Sequence, residues 1–145
     1  MTATDRPSTE RAIGETDLRR LGNDTMTAIL AGAYPEVQRA APGSEVPDRR
    51  DGKIADEVVD IGLISVWAAL WAREGLSHRD RSLVTLGVLI ALGAEDEIGS
   101  HVKIGLGNGL TREEVAEVIY HAAGYAGFPR AMTARKAARR ALGEN

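Results

Sequence analysis

The sequence predicts an all-α fold, and three observations carry that prediction. Apolar residues recur three and four apart in consecutive segments, the spacing that lines one face of a helix. Helix-start and helix-stop residues fall between those segments. No stretch alternates apolar and polar residues at a two-residue period, as a half-buried strand would. A chain of 145 residues predicts a single domain, and at this size about two thirds of the unfolded surface can be buried, enough for a core without staples. The expectation is a single-domain bundle of about six helices.

The elements follow in order. Residues 1–14 read as a loosely ordered tail of Thr, Asp, Pro, Ser and Glu, with the domain running over 15–145. From Glu15 to about Ala33, the residues Leu18, Leu21, Thr25, Met26, Ile29 and Leu30 keep helical spacing, weakened by Gly22 and Asn23. Pro35, Pro42 and Pro47, with Gly43 and Gly52, then exclude one continuous helix. A structureless run of that length is unusual inside a small domain, so a short helical turn or a lid is expected there. Ile54, Val58, Ile61, Ser65 and Ala68 are spaced for a long second helix ending near Arg73, before Gly75.

Ser77 and Asp80 resemble a capping box with Asp in place of Glu, opening a third helix through Leu83, Leu86, Leu89 and Ile90 to a stop at Gly93. A fourth runs from about Glu95 to Leu106, with Ile98 and Val102 apolar and Asn108-Gly109 as its stop. Thr111 with Glu114 is a full capping box for a fifth, carrying Val115, Val118, Ile119 and Ala122. Gly127-Phe128-Pro129 breaks it, and Pro129 suits the first turn of a sixth. Short links make helices three, four and five antiparallel neighbours. Gly87, Gly99, Gly105 and Gly107 in or near helix interiors point to close backbone approach or room for a ligand.

Composition removes several functions. There are 18 Lys+Arg against 21 Asp+Glu, a net charge of −3, so the bulk positive field that holds nucleic acid is missing. Cys is 0, which excludes thiol nucleophiles, thiolate metal sites and dithiol redox chemistry. No apolar run approaches the roughly 20 residues that span a bilayer, and the polar start from Met1 to Glu15 lacks the apolar core of a secretory signal. A cytoplasmic protein with neither nucleic acid nor membrane as partner is expected.

The three histidines are His78, His101 and His121. Glu97 and His101 lie four apart and share a helix face beside the apolar Ile98 and Val102. A carboxylate there would raise the imidazole's pKa and fix its tautomer, which suits a proton shuttle; the plainer alternative is an exposed ion pair. His78, Arg81, Ser82 and Thr85 form a polar stripe, in which Arg81 could clamp a carboxylate bidentately. As a solvated face the same stripe needs no function, and that reading is favoured for His78. Glu117 and His121 make a second pair with Tyr125 a turn further on, and Ala122, Ala123 and Gly124 leave room beside it; a packed or interface histidine is the favoured reading of His121. Glu-x-x-x-His, twice, lacks the ligand spacing of di-iron bundles or zincins, so no metal is expected. Trp67 and Trp71 read as core or interface. The basic last helix (Arg130, Arg135, Lys136, Arg139, Arg140) reads as a solvated or intersubunit face.

Trp71-Ala-Arg-Glu-Gly-Leu76, Arg81-Ser-Leu-Val-Thr85, Ala91-Leu-Gly93, His101, Asn108-Gly-Leu-Thr111, Glu114, Glu117 and Tyr125-Ala-Gly-Phe-Pro129 fall in the order and spacing of one family. From Trp71 onward the chain resembles the carboxymuconolactone decarboxylase family, on the cysteine-free side of the alkylhydroperoxidase D-like superfamily. The resemblance implies an all-helical subunit in a homo-oligomer, a trimer or a hexamer built as a trimer of dimers. It also implies a small carboxylated lactone or related acid as substrate, and no cofactor. The peroxidase-like branch has cysteines at the positions of Ala94 and Glu97, so disulfide-dependent peroxide reduction is excluded. A Glu common in the family is replaced by Ala69, a common Gln by His121, and residues 33–53 do not follow the family pattern.

These readings make His101, Glu97 and Arg81 the catalytic candidates, with His121, Thr85, Trp71 and Tyr125 as candidate substrate contacts. The expected activity is that of a cofactor-independent lyase or isomerase working through an enolate on a small unsaturated carboxylated lactone or keto acid, and secondary metabolism is one place where such divergent relatives occur. A non-catalytic small-molecule-binding or scaffold protein is the alternative. A small DNA-binding domain ranks last.

Overall fold

The computed structural model describes residues 14–144, so the tail expected over 1–14 lies, Gly14 apart, outside the described residues. Among them the chain forms helices and no strand. They are α1 (Glu15–Ala33), α2 (Val58–Gly62) running on into a π-helical segment (Leu63–Trp71), α3 (His78–Leu92), α4 (Glu95–Gly107), α5 (Arg112–Ala126) and α6 (Phe128–Ala141). The all-α expectation holds, with each helix after α2 within about two residues of its predicted start.

Local chemistry explains those boundaries. The Ser77 hydroxyl accepts from the Asp80 amide at 3.0 Å, and Gly93 ends α3 in the left-handed region at φ 71°. Thr111 and Glu114 close a full capping box, satisfying two amides that the first turn of α5 leaves free. Pro129 sits in the first turn of α6. Helices α3 to α6 share one core, built on Leu86, Ile90, Ile98, Val102 and Val115, with Ala134, Ala137 and Ala138 letting α6 lie close. A second cluster joins Ile29 of α1, Trp71 and Ile104 of α4.

The second helix departs from its prediction. Ile54 is 99% exposed, Val58 and Ile61 are largely so, and the buried residues are Leu63, Ala68 and Trp71. The predicted stripe assumed 3.6 residues per turn, whereas this segment closes wider turns: the Ala72 amide donates to the Trp67 carbonyl, five residues back, at 3.0 Å. The helix ends at Trp71, within two residues of the expected Arg73. Residues 34–57 contain turns but no helix, so the expected helical turn is absent. The segment instead straps α1. The Ala40 amide donates to Thr27 Oγ1 at 3.1 Å, and Arg49 Nη2 donates to the buried Asn23 Oδ1 at 3.0 Å.

Gly22 is what lets α1 meet the π-helical segment. A Cβ there would stand 2.0 Å from the Leu63 carbonyl oxygen, far inside any real contact. The residue that weakened the first helix in the sequence is therefore its closest docking point.

Candidate active site

The π-helical segment presents the tryptophans. Trp67 and Trp71, four apart, share one face of the segment, and their rings lie 5.7 Å apart at 33°. Trp71 is buried against Ile29 and Ile104. One of its faces meets His101 of α4, with ring centroids 6.2 Å apart and planes within 25°, a stacked pair. His78, at the start of α3, lies 6.1 Å from the same indole at 54°.

Hydrogen bonds fix the surroundings. His78 Nε2 is 3.1 Å from the Trp71 carbonyl oxygen. A carbonyl only accepts, so Nε2 carries the proton. Arg81 Nη2 donates to the Arg73 carbonyl at 2.8 Å. Ser82, fully buried, donates from Oγ to the His78 carbonyl at 3.0 Å and accepts from Asn108 Nδ2 at 3.0 Å. The start of α3 is thereby tied both to the end of the π-helical segment and to the C-terminal end of α4.

Three buried side-chain nitrogens among the described residues have no hydrogen-bond partner: Arg49 Nη1, Arg81 Nε and His101 Nδ1. Two of these belong to residues singled out from the sequence as catalytic candidates. Buried polar atoms are ordinarily satisfied, so orphaned ones mark where another group belongs.

His101 departs from expectation in its electrostatics. Burial lowers its pKa below the ordinary histidine value, and Glu97, acting only through its charge, raises it by less. The predicted rise is therefore corrected to a net fall. Glu97 is exposed, and Nδ1 is without a partner, so Glu97 does not fix the tautomer through that nitrogen. Desolvation outweighs an opposite charge that remains in water.

The remaining candidates lie elsewhere. An apolar groove of about 800 Å³ runs between α3 and α5, and Leu83, Gly87, Val118, Ala122, His121 and Tyr125 help line it. The rings of His121 and Tyr125 are 5.0 Å apart, both side chains are exposed, and Arg79 pairs with Glu114 at the wall. On α3 the groove residues Leu83, Val84, Gly87 and Ala91 occupy one face. His78, Arg81 and Thr85, at 100° per residue, fall on the opposite one. The structure brings Trp71 and His101 together and anchors Arg81 to the Arg73 carbonyl, two residues beyond Trp71. It leaves His121 and Tyr125 across α3, with Glu97 on the surface and Thr85 half-buried.

His78 is exposed, as the solvated-face reading expects, yet its ring nitrogen is spent on the Trp71 carbonyl, which sequence reasoning missed. The available signal was the short loop between them, which leaves a donor within reach of the last helical carbonyls. Among the described residues no group of three or more His, Asp or Glu is placed to hold a metal ion, and no helix is long and apolar enough to cross a membrane.

The chain is similar to proteins of known name. The chain is similar to 4-carboxymuconolactone decarboxylase of Acinetobacter baylyi, 48% identical over 63 residues, which is 43% of this chain and 47% of that protein. It is also similar to the nitrosuccinic acid decarboxylase of Metarhizium robertsii, 43% identical over 63 residues, 43% of this chain and 44% of that protein. The chain thus spans somewhat less than half the length of the curated relatives it matches. The family model describing the carboxymuconolactone decarboxylase family matches residues 63–140, from the first residue of the π-helical segment into the last turn of α6. With that match over more than half its length, and with no cysteine, the chain belongs to the carboxymuconolactone decarboxylase family.

Proposed function

We propose that the protein is a decarboxylase-like, cofactor-independent lyase or isomerase, acting on a small unsaturated carboxylated lactone or keto acid through an enolate. The observation that carries this reading is the pair of orphaned buried nitrogens, His101 Nδ1 and Arg81 Nε, inside residues 63–140, the stretch that matches the family model.

Loss of CO₂ leaves an electron pair on carbon that a neighbouring unsaturated group must accept. Arg81, held by the Arg73 carbonyl, has Nε–H free to orient the departing carboxylate or face the developing oxyanion. His101 then delivers to carbon a proton taken from solvent. Its lowered pKa makes the imidazolium a stronger acid than a solvated one, and leaves neutral imidazole ready to abstract a proton at neutral pH. Either direction serves: decarboxylation consumes one proton, and isomerisation returns the one removed. Trp71 supplies the apolar wall.

A second reading is a non-catalytic small-molecule-binding protein on this fold, supported by Ala69 standing where the family resemblance implies Glu. We further propose assembly as a homo-oligomer, since Val84, Val88 and Leu92 on α3 and Phe128 on α6 expose large apolar side chains.

The test follows CO₂ release from unsaturated carboxylated lactones, keto acids and nitro acids with the full chain. Turnover by the native protein and none by His101→Ala, with helical content and assembly state retained, supports catalysis. Binding of these acids without product by mass spectrometry replaces it with the second reading.

A further inference from the structure

We propose that His78 is a positioning residue of this site, acting through Trp71 to hold the indole against His101. The inference rests on the reading above only in taking His101 as the group that moves the proton.

Trp71 is the last residue of the π-helical segment, and a terminal carbonyl has no partner within its helix. His78 Nε2–H supplies one at 3.1 Å, across the turn that separates the two elements. The His78 ring also packs 6.1 Å from the indole. Trp71 in turn stacks on His101 at 6.2 Å, so one residue touches both imidazoles. His78 is itself held: Ser82 Oγ donates to its carbonyl at 3.0 Å and is bound by Asn108 Nδ2, at the end of the helix that carries His101. The path from His78 to His101 is therefore closed through both the π-helical segment and α4.

The π-helical segment is what makes such an anchor necessary. Its hydrogen bonds span five residues and it is less favourable than α-helix, so π turns persist where surrounding structure holds them. If its last turn relaxed toward α-helical winding, Trp71 would rotate about the axis and its ring would leave His101. The bond from Arg81 to the Arg73 carbonyl fixes the following loop, but it lies two residues beyond the indole. The bond from His78 falls on the Trp71 carbonyl itself.

Two variants test this. His78→Ala removes the donor, and His78→Gln keeps an N–H at similar reach. The readouts are the His101 ring resonances by NMR, which sense the ring current of Trp71, and the near-ultraviolet circular dichroism of the tryptophans. In His78→Ala the His101 resonances shift, its titration midpoint climbs toward the ordinary histidine value as its cover loosens, and the tryptophan signal falls. His78→Gln restores all three. Where turnover is measurable, kcat falls by up to roughly 100-fold in His78→Ala with KM little changed.

Unchanged His101 resonances and tryptophan signal in a folded His78→Ala overturn the proposal, as does a His78→Gln variant displaced as far as the alanine one. Should His78→Ala not fold, His78→Asn, whose amide falls short of the carbonyl, takes its place, and equal spectra from Asn and Gln overturn the proposal. None of the spectroscopic readouts needs turnover, so a protein that releases no CO₂ leaves this inference standing, and an active enzyme with unmoved spectra removes it alone.

Discussion

Two regions flank α3, and they differ in how their polar groups are held. On one face, His78, Arg81, Trp71 and His101 sit where helix ends, a buried serine and stacked rings fix each group, and two buried nitrogens remain without partners. On the other, His121 and Tyr125 stand in an open apolar groove, with Tyr125 85% exposed. Imidazoles occur on both sides. The difference teaches that a histidine's neighbours, not its residue type or its spacing from a glutamate, decide whether it can do chemistry: desolvation and fixed geometry are what tune a proton-transfer group.

The comparison breaks most visibly in activity. His101→Ala is expected to lower CO₂ release by about 10²- to 10⁴-fold, the range for losing a general acid or base, while His121→Ala changes it by less than about tenfold. Parallel rate measurements on the two variants check this. A larger loss from His121→Ala would move the chemistry into the groove.

Stability separates the faces next. Trp71 is 5% exposed, and truncating a buried tryptophan costs about 3–5 kcal/mol. Tyr125→Ala in the groove should stay within about 0.5 kcal/mol in the isolated subunit. Urea unfolding of both variants gives the two values. A Tyr125→Ala loss comparable to that of Trp71→Ala would show that the groove is covered by a second copy in solution.

The glycines sharpen the contrast because they predict opposite signs. Gly22→Ala drives a Cβ into the Leu63 backbone, and overpacking of that kind costs about 1–3 kcal/mol. Gly87 lines the groove with open space where its Cβ would be. Gly87→Ala should therefore gain about 0.5–1 kcal/mol from helix propensity. Thermal melts of the two variants check the sign directly.

Those glycines also show what the sequence made legible. The helices from Ser77 onward were readable because their ends are written in local chemistry: a serine cap, a full capping box, a left-handed glycine and a proline in a first turn. The π-helical segment was not, since its apolar residues were fitted to 3.6 residues per turn, and of the stripe chosen Ile54, Val58 and Ile61 are exposed while Ala68 is buried. Of the site, the order and spacing of Trp71, Arg81 and His101 could be read. That Trp71 stacks on His101 could not, because it depends on how the segment packs against α4. The division of the candidates across α3 was implicit in the 100° step, but deciding which face is sheltered required knowing what packs there. The sign of the His101 shift was misread for the same reason: spacing shows a charged neighbour and says nothing about how much water remains around it.

The smallest effect concerns Glu97, and it probes that last point. Because the folded pKa of His101 lies below its ordinary value of 6.5, the unfolded chain binds more protons in the interval between the two. The stability tied to its burial is full above 6.5 and is lost as pH falls through the folded midpoint. Glu97 opposes the shift by charge alone, so Glu97→Gln should move the His101 midpoint further down and extend the interval of acid sensitivity. The change in stability at neutral pH should remain within about 0.5 kcal/mol, as for a surface substitution. An NMR titration of His101 in the two proteins decides between the causes. A midpoint that rises in Glu97→Gln would mean that the carboxylate acts on the imidazole by some route other than its charge, and that burial alone does not set the site's acidity.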